Sequence, residues 1–544
     1  MKEIQPLRRW VVGLALCLTL THSPLGVNNV YADSALLPQA LIQQLTAVQE
    51  HRLPINEFYQ LRDGQPAWQA VNAVESLVGA LNSLQNDGLA PEDYHADTLL
   101  NEFQRSQSEG AAAQAAFDIK ATQSLLLALD HLERGKVNPR DVEPQWDAPR
   151  PESGYSLLRV VHAVEDRALD NATALARPSS SEYQLLRDAL KQHYQLANLG
   201  SAPYLAAREA SLRPGDEADD IIVLRQRLAL WGETNLMVAD TSAYPLIGVQ
   251  AVPDRRTFDA PLEAAVKRFQ RLHLLHEDGV VGEQTRLALN TSVATRIDQL
   301  RVNLERARWI RPMQVAEPRV WVDIAGYRMH YVRPNGQHWD ARVVVGSPRR
   351  ETPTIHSTIS HLTINPSWTI PPTIMREDVL PRVRADIDYL ARENIQVISS
   401  SGEPLSAEEV DWQRPGSVML RQVAGSGNPL GRVVVRFPND DMIYLHDTPA
   451  RGLFQRDQRA LSSGCIRVEG EAELAQMLLQ DTGSRYQMST LLSGGSDRNV
   501  SLSQRIPVAL HYLTAWPNAQ GEVEFRPDIY RRDAALLAAL QRPV

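Results

Sequence analysis

The apolar pattern changes period near Pro318, and that change limits the possible folds more than any other feature of the chain. Upstream, apolar residues recur three and four positions apart; downstream they fall in short runs rich in β-branched and aromatic residues. The first pattern suits amphipathic helices and the second suits strands, so helical units must precede a sheet. Residues 33–215 read as a helical scaffold. Leu125, Leu126, Leu127, Leu129 and Leu132 crowd one segment of it, and Leu185, Leu186, Leu190 and Tyr194 form a stripe over 180–194. Pro149, Pro151 and Ser153-Gly154 mark a break between these segments, and no chemistry is visible in the region. Residues 216–292 form a smaller unit. One helix carries Ile221, Leu224, Leu228 and Trp231, and a second carries Leu262, Val266 and Phe269 behind the start signal Asp259-Ala260-Pro261. The turn Asp278-Gly279-Val280-Val281-Gly282 then leads to Thr285, Leu287, Ala288 and Leu289. Residues 293–317 are a linker whose helix, 295–311, stops at Pro312.

Strands are expected at 320–324, 327–332, 342–345, 361–365, 432–437 and 442–445, within a mostly-β domain spanning 318–497. Between 373 and 431 the chain turns helical (378–394) and then loop-like (425–431), which reads as a helical cap inserted over a site. Residues 498–544 are a C-terminal segment in which 507–516 supplies a strand or a tail. The expected fold is multidomain α+β.

The 544 residues allow three or four such units, and 43% hydrophobic with 22% charged residues lets each bury a core. A net charge of −9 argues against general affinity for nucleic acid. Lys2, Arg8 and Arg9 precede an apolar run, 10–20, too short to cross a bilayer comfortably, and Val30-Tyr31-Ala32 ends on a small residue. Residues 1–32 are therefore expected to be a cleaved signal peptide, with an uncleaved anchor as the alternative. Leu14-Ala15-Leu16-Cys17 is a poor lipoprotein signal because a bulky Leu precedes the Cys. Cleavage would remove one of the two cysteines and leave Cys465 as a lone thiol in an oxidising compartment, either an inert core residue or a reactive one.

The neighbours of Cys465 decide between those readings. The segment 444–468 reads YLHDTPARGLFQRDQRALSSGCIRV. Alternation along its opening strand puts Ile443 and Leu445 on one face, and Tyr444 and His446 on the other. His446 thus stands where a strand meets a loop, and Asp447-Thr448-Pro449 turns the chain. Ser462-Ser463-Gly464-Cys465 follows, with Cys465 nineteen positions after His446. Gly464 permits a tight turn beside the thiol, and backbone N–H groups there are candidates for holding an oxyanion. A helix read at 472–479 and a protonated His446 would each depress the thiol pKa. Arg451, Arg456 and Arg459 read as solvated surface.

The segment resembles the L,D-transpeptidase catalytic domain, whose signature is a His after a strand, a loop, and then Ser-x-Gly-Cys-Ile/Val-Arg; those positions are His446, Ser462, Gly464, Cys465, Ile466 and Arg467. The resemblance extends to RVVVGSPRRETP (342–353), INPSWTIPPTI (364–374) and the helix RIDQLRVNLERARWI (296–310). AAVKRFQRLHLL, DGVVG and TRLALN (264–290) resemble a three-helix peptidoglycan-binding module, and the whole order resembles the large Gram-negative members of the family. Two departures stand out: Asp447 replaces the Gly common after the His, and Ser463 replaces a His two residues before the Cys.

The resemblance implies a cysteine acyltransferase of the periplasm, needing no cofactor and no metal, that acts in peptidoglycan biosynthesis and cell shape. Cys465 would attack a tetrapeptide stem, His446 would act as acid and base, and a diaminopimelate amine would resolve the thioester into a 3→3 cross-link. A backbone carbonyl usually orients the His in this family, so Asp447 is not expected to complete a triad. Tyr444, Ser463, Gly464 and Arg467 are candidates for substrate or oxyanion contacts, Arg467 either binding a stem carboxylate or bracing the loop. The implied partners are peptidoglycan stem peptides and cell-wall synthesis enzymes, with no nucleic acid. An L,D-carboxypeptidase and a non-catalytic wall-binding protein are the alternatives. The chain holds no His-Glu-x-x-His and no paired Cys ligands, which argues against a zinc amidase, and a papain-like protease would carry its Cys ahead of its His.

Overall fold

The computed structural model describes residues 28–46, 53–144, 146, 148, 154–198, 200, 202–232, 256–310, 319–425, 427–495 and 497–544. The expected signal peptide and Cys17 lie outside them, apart from residues 28–32, which open the helix Asn28–Leu45. The first unit is helical. Its longest helix, Ala111–Arg134, buries Leu125, Leu126, Leu129 and Leu132 completely, against Val74, Leu77 and Val161 from neighbouring helices. Asp220–Leu230, Ala260–Leu272 and Glu283–Leu289 make the small module, packed through Leu224, Leu228, Val266 and Phe269. Asp259 caps the second of these helices by accepting the Leu262 N–H, as the Asp-Ala-Pro start predicts.

The linker helix, Val293–Trp309, is not a spacer on the surface. It buries Arg296, Asn303, Glu305, Arg306, Arg308 and Trp309. Glu305 accepts the Val137 N–H at 2.7 Å, Arg308 donates to Tyr183 Oη at 2.9 Å, and Arg306 pairs with Asp533 at 2.6 Å. Scaffold and C-terminal segment thus meet on one helix. Buried charges persist only when they are paired and hydrogen-bonded.

The strands are β1 Arg319–Asp323, β2 Arg328–Val332, β3 His338–Gly346, β4 Ile355–Ile364, β5 Trp368–Thr369, β6 Ile395–Ile398, β7 Pro404–Leu405 and β8 Met419–Gln422. They continue as β9 Val433–Arg436, β10 Leu445–His446, β11 Ala460–Ser462, β12 Ile466–Val468, β13 Arg498–His511, β14 Ala515–Pro517 and β15 Val523–Phe525. Nine strands join in the order β11-β3-β12-β10-β9-β4-β13-β1-β2, and β2 pairs back onto β3. Residues 338–342 of β3 hold β2, while 343–344 hold β12, so the sheet closes on itself as a barrel. Its interior is filled by Val322, Tyr331, Val345, Leu362, Leu445, Ile466 and Leu510, with Leu474 and Leu478 of the helix Glu471–Asp481 packed against them. Each such side chain contributes about 1.5–3 kcal/mol on burial.

Two expectations change. Residues 498–544 were set apart from the β domain, but β13 runs between β4 and β1 in the middle of the sheet. Its pattern is interrupted by a register shift between Ser501 and Ile506 and by Pro507, which is why it does not read as an ordinary strand. The inserted cap is not helical throughout. The helices Pro372–Ile374, Met375–Val379, Leu380–Ala385 and Tyr389–Arg392 stand beside a second sheet, β5-β8-β6-β7, closed over Val379, Leu390, Val397 and Leu420. The insertion therefore begins at β5, ahead of 373. Alternation in Ile395-Gln396-Val397 and Met419-Leu420-Arg421 carries the strand signal.

Candidate active site

β10 and β12 run parallel, with Leu445 opposite Ile466 and His446 opposite Arg467. Parallel neighbours need a crossover rather than a tight turn, and the loop between His446 and Cys465 supplies it. Leu445 and Ile466 are fully buried in the barrel core. Alternation sends Tyr444, His446, Cys465 and Arg467 to the other face. β9 pairs antiparallel with β10, Val435 opposite Leu445, so Arg436 comes next to Tyr444 and stacks over its ring at 4.0 Å. These five side chains line one cavity of about 820 Å³. Its other wall comes from the insertion, through Ile374, Asp378, Val379, Arg382 and Tyr389.

The turn before Cys465 is held from within. Ser462 Oγ donates to the Cys465 carbonyl at 2.6 Å and accepts the Gly464 N–H at 3.1 Å. Gly464 has φ +114° and its carbonyl accepts from Thr352 Oγ1 at 2.7 Å. A side chain at 464 would be strained by that backbone and would crowd Ile443 at 3.3 Å. Gly464 thus shapes the turn. It is not among the residues lining the cavity, and its N–H is engaged by Ser462 rather than free for an oxyanion. Ser463 does line the cavity, where its Oγ accepts from Arg350 Nη1 at 3.0 Å. Arg350 also pairs with Glu377 at 2.8 Å and Asp378 at 2.5 Å, tying the insertion to the Cys loop. Neither Arg350 nor Arg436 stands out as a site residue in the sequence, because each acts through a partner far along the chain.

His446 is 4% exposed, and its Nδ1 lies 2.6 Å from the carbonyl oxygen of Asp447. Nδ1 therefore donates, and Nε2 keeps its lone pair. Burial, reinforced by the Arg467 charge, pushes the imidazole down to about 3. Cys465 is partly exposed, with Sγ 3.5 Å from the Met442 carbonyl. Burial of the sulfur raises its pKa, opposed by the Tyr444 backbone and by Arg436 and Arg467. The expected lowering of the thiol pKa is not what these surroundings favour: burial raises the thiol and lowers the imidazole, which favours the neutral form of each. The helix Glu471–Asp481 contributes no residue to the cavity lining, and its first turn carries its own Glu471 and Glu473.

The Asp447 carboxylate faces away from the imidazole, pairing with Arg451 at 3.0 Å and accepting the Arg432 N–H at 3.3 Å. Arg451 is exposed, in keeping with a solvated loop. Arg459 is not: it donates to the Val343 and Tyr327 carbonyls at 3.2 and 3.1 Å and stacks on Tyr327, pinning the crossover to the barrel.

Residues 317–485 match the family described as L,D-transpeptidase catalytic domain. Residues 54–190 match a family described as Scaffold domain, and 218–289 one described as "Putative peptidoglycan binding domain". A curated protein of Haemophilus influenzae, named "Putative L,D-transpeptidase", is 36% identical over 248 residues, 45% of this chain and 50% of that protein. The chain thus aligns with about half the length of the curated relative it matches. These matches support the resemblance to L,D-transpeptidases and the multidomain α+β fold.

Proposed function

With a domain similar to the L,D-transpeptidase catalytic domain as the premise, we propose that the chain is a peptidoglycan L,D-transpeptidase working through a Cys465 thioester. The observation that carries this reading is the arrangement of Cys465 and His446 on one cavity face, with His446 Nδ1 bonded to a backbone carbonyl and Nε2 left as the base. His446 Nε2 takes the thiol proton as sulfur attacks the carbonyl of the third stem residue. The C–N bond breaks, the terminal D-Ala leaves with the proton from His446, and a thioester remains. The side-chain amine of a second stem then attacks, its proton passes to His446, and a 3→3 amide forms as the thiol is regenerated. The peptide bond broken supplies the free energy of the one made. On this reading the protein works outside the cytoplasm, in the periplasm, and the small module at 218–289 would hold it on the wall.

Intact-mass analysis with a defined tetrapeptide and an amine acceptor tests the proposal. The expected result is a transient adduct equal to the stem less D-Ala, lost in Cys465→Ala, followed by a cross-linked dimer. Tripeptide without dimer would indicate a carboxypeptidase, and no adduct would leave only wall binding.

A further inference from the structure

Arg436 stands beside the thiol without an acidic partner. Its guanidinium lies 4.0 Å over the Tyr444 ring, its Nε donates to Thr363 Oγ1 at 3.2 Å, and among the described residues no carboxylate pairs with it. It lines the cavity and its charge acts on Cys465 and on His446. Two of the other three cavity arginines are committed elsewhere. Arg350 is neutralised by Glu377 and Asp378, and Arg382 stacks on Tyr389 within the insertion. Arg467, opposite His446, also has no carboxylate partner among the described residues and acts on both His446 and Cys465, but its Nε is buried without a hydrogen-bond partner, whereas Arg436 is held in place by Tyr444 and Thr363.

We infer that Arg436 is a specificity-determining residue that receives the C-terminal carboxylate of the acyl donor. The inference rests on the proposed function and adds a residue to it. In a tetrapeptide attacked at its third carbonyl, the terminal carboxyl carbon is three bonds from the attacked carbon, roughly 3–4 Å by ordinary bond lengths. A negative group must therefore enter beside the nascent thiolate, and two anions there repel unless a cation lies between them. The guanidinium fork matches a carboxylate in two-point fashion, and the Tyr444 face below fixes its plane. Thr363 fixes the stem, and Thr363 Oγ1 is itself anchored on Asn499 Oδ1 at 2.8 Å. Cross-strand pairing sets the position: Thr363 is on β4, Arg436 on β9 and Tyr444 precedes β10.

The test compares alkylation of Cys465 by anionic iodoacetate and neutral iodoacetamide, in the full chain and in Arg436→Gln and Arg436→Lys. The iodoacetamide rate corrects for changes in the thiol or the fold, and neither reagent requires transpeptidation. Arg436→Gln should lower the iodoacetate-to-iodoacetamide ratio about tenfold, and Arg436→Lys should restore most of it. A ratio unchanged in Arg436→Gln overturns the assignment. A second arm uses a tetrapeptide donor and its C-terminal amide. Arg436→Gln should raise KM for the acid and leave the amide unaffected. An equal loss with both donors would overturn carboxylate recognition while leaving the transpeptidase reading intact.

Discussion

His446 Nδ1 donates its proton to the carbonyl of Asp447, 2.6 Å away, and not to the Asp447 carboxylate, which turns outward to Arg451. The imidazole is oriented by the backbone, so what matters at position 447 is where the chain runs. Gly431, at the end of the insertion, has φ +62°, and a Cβ there would lie 2.5 Å from that of Asp447.

Two substitutions should therefore separate. Asp447→Asn keeps the carbonyl and loses one ion pair whose Arg451 end is exposed, so acylation of Cys465 should fall less than about tenfold, against the roughly 10⁴-fold loss expected for a triad carboxylate. Gly431→Ala, which adds no functional group, should slow acylation more than Asp447→Asn does. Single-turnover mass measurements with a tetrapeptide would rank them. A collapse of activity in Asp447→Asn alone would add Asp447 to the catalytic set.

The neutral thiol and imidazole lead to a pH prediction. With the Cys465 pKa raised and His446 lowered to about 3, no imidazolium is present near neutrality to hold a thiolate. The rate of Cys465 alkylation by iodoacetamide should climb with pH through and beyond the ordinary thiol range, without a plateau between about pH 6 and 8. A flat profile across that interval would show a stored thiolate–imidazolium pair and contradict the electrostatics.

Arg350 is expected to govern the approach of substrate. Its bonds to Glu377, Asp378 and Ser463 link the insertion to the Cys465 turn, through a π-helical segment, Met375–Val379. Arg350 is 17% exposed and bonds both oxygens of Asp378 as well as Glu377, so Arg350→Ala should cost more than an isolated surface pair, about 1–3 kcal/mol. Acylation by a tetrapeptide should slow roughly tenfold as the cavity wall loosens. Calorimetry and acylation rates on one preparation would check both halves, and an unchanged rate would remove the link from function.

The parts of this site that were legible in the sequence are local. Alternation through Ile443-Tyr444-Leu445-His446 placed the histidine on the outer face, and Ser462-Ser463-Gly464-Cys465 announced a tight turn. Arg436 was not legible, since its meaning comes from pairing β4, β9 and β10 across long stretches of chain. The second sheet escaped because β5 and β7 are two residues each, too short to show a period. β13 was blurred by its bulge and by Pro507. The linker helix read only as a connection because its buried polar residues find their partners in other units.

A last prediction concerns the junction where scaffold, small module and C-terminal hairpin meet. His193 and His273 both pack on Phe525, with ring centroids 5.5 and 5.7 Å away, and His273 also stacks on Phe269 at 3.8 Å. Each donates Nδ1–H to a carbonyl of its own helix at 2.8 Å, and each Nε2 is buried without a partner. The charged group facing them is Arg296, which lies 4.6 Å over the Phe525 ring. Burial first, with Arg296 adding to it, lowers both histidines, His273 well below its ordinary value. A histidine lowered in the fold stabilises it above the unfolded pKa of about 6.5 and loses that contribution as pH falls below it. At pH 5.5 each histidine that stays neutral costs about 1.4 kcal/mol relative to high pH. The module should therefore loosen from the scaffold on mild acidification. Thermal unfolding at pH 7.5 and 5.5 would show it, as a Tm drop of a few degrees in the full chain that shrinks in His273→Phe. Carboxylates elsewhere contribute equally to both proteins, so the difference between the two drops isolates His273. Equal drops would mean that His273 does not sense pH in this fold.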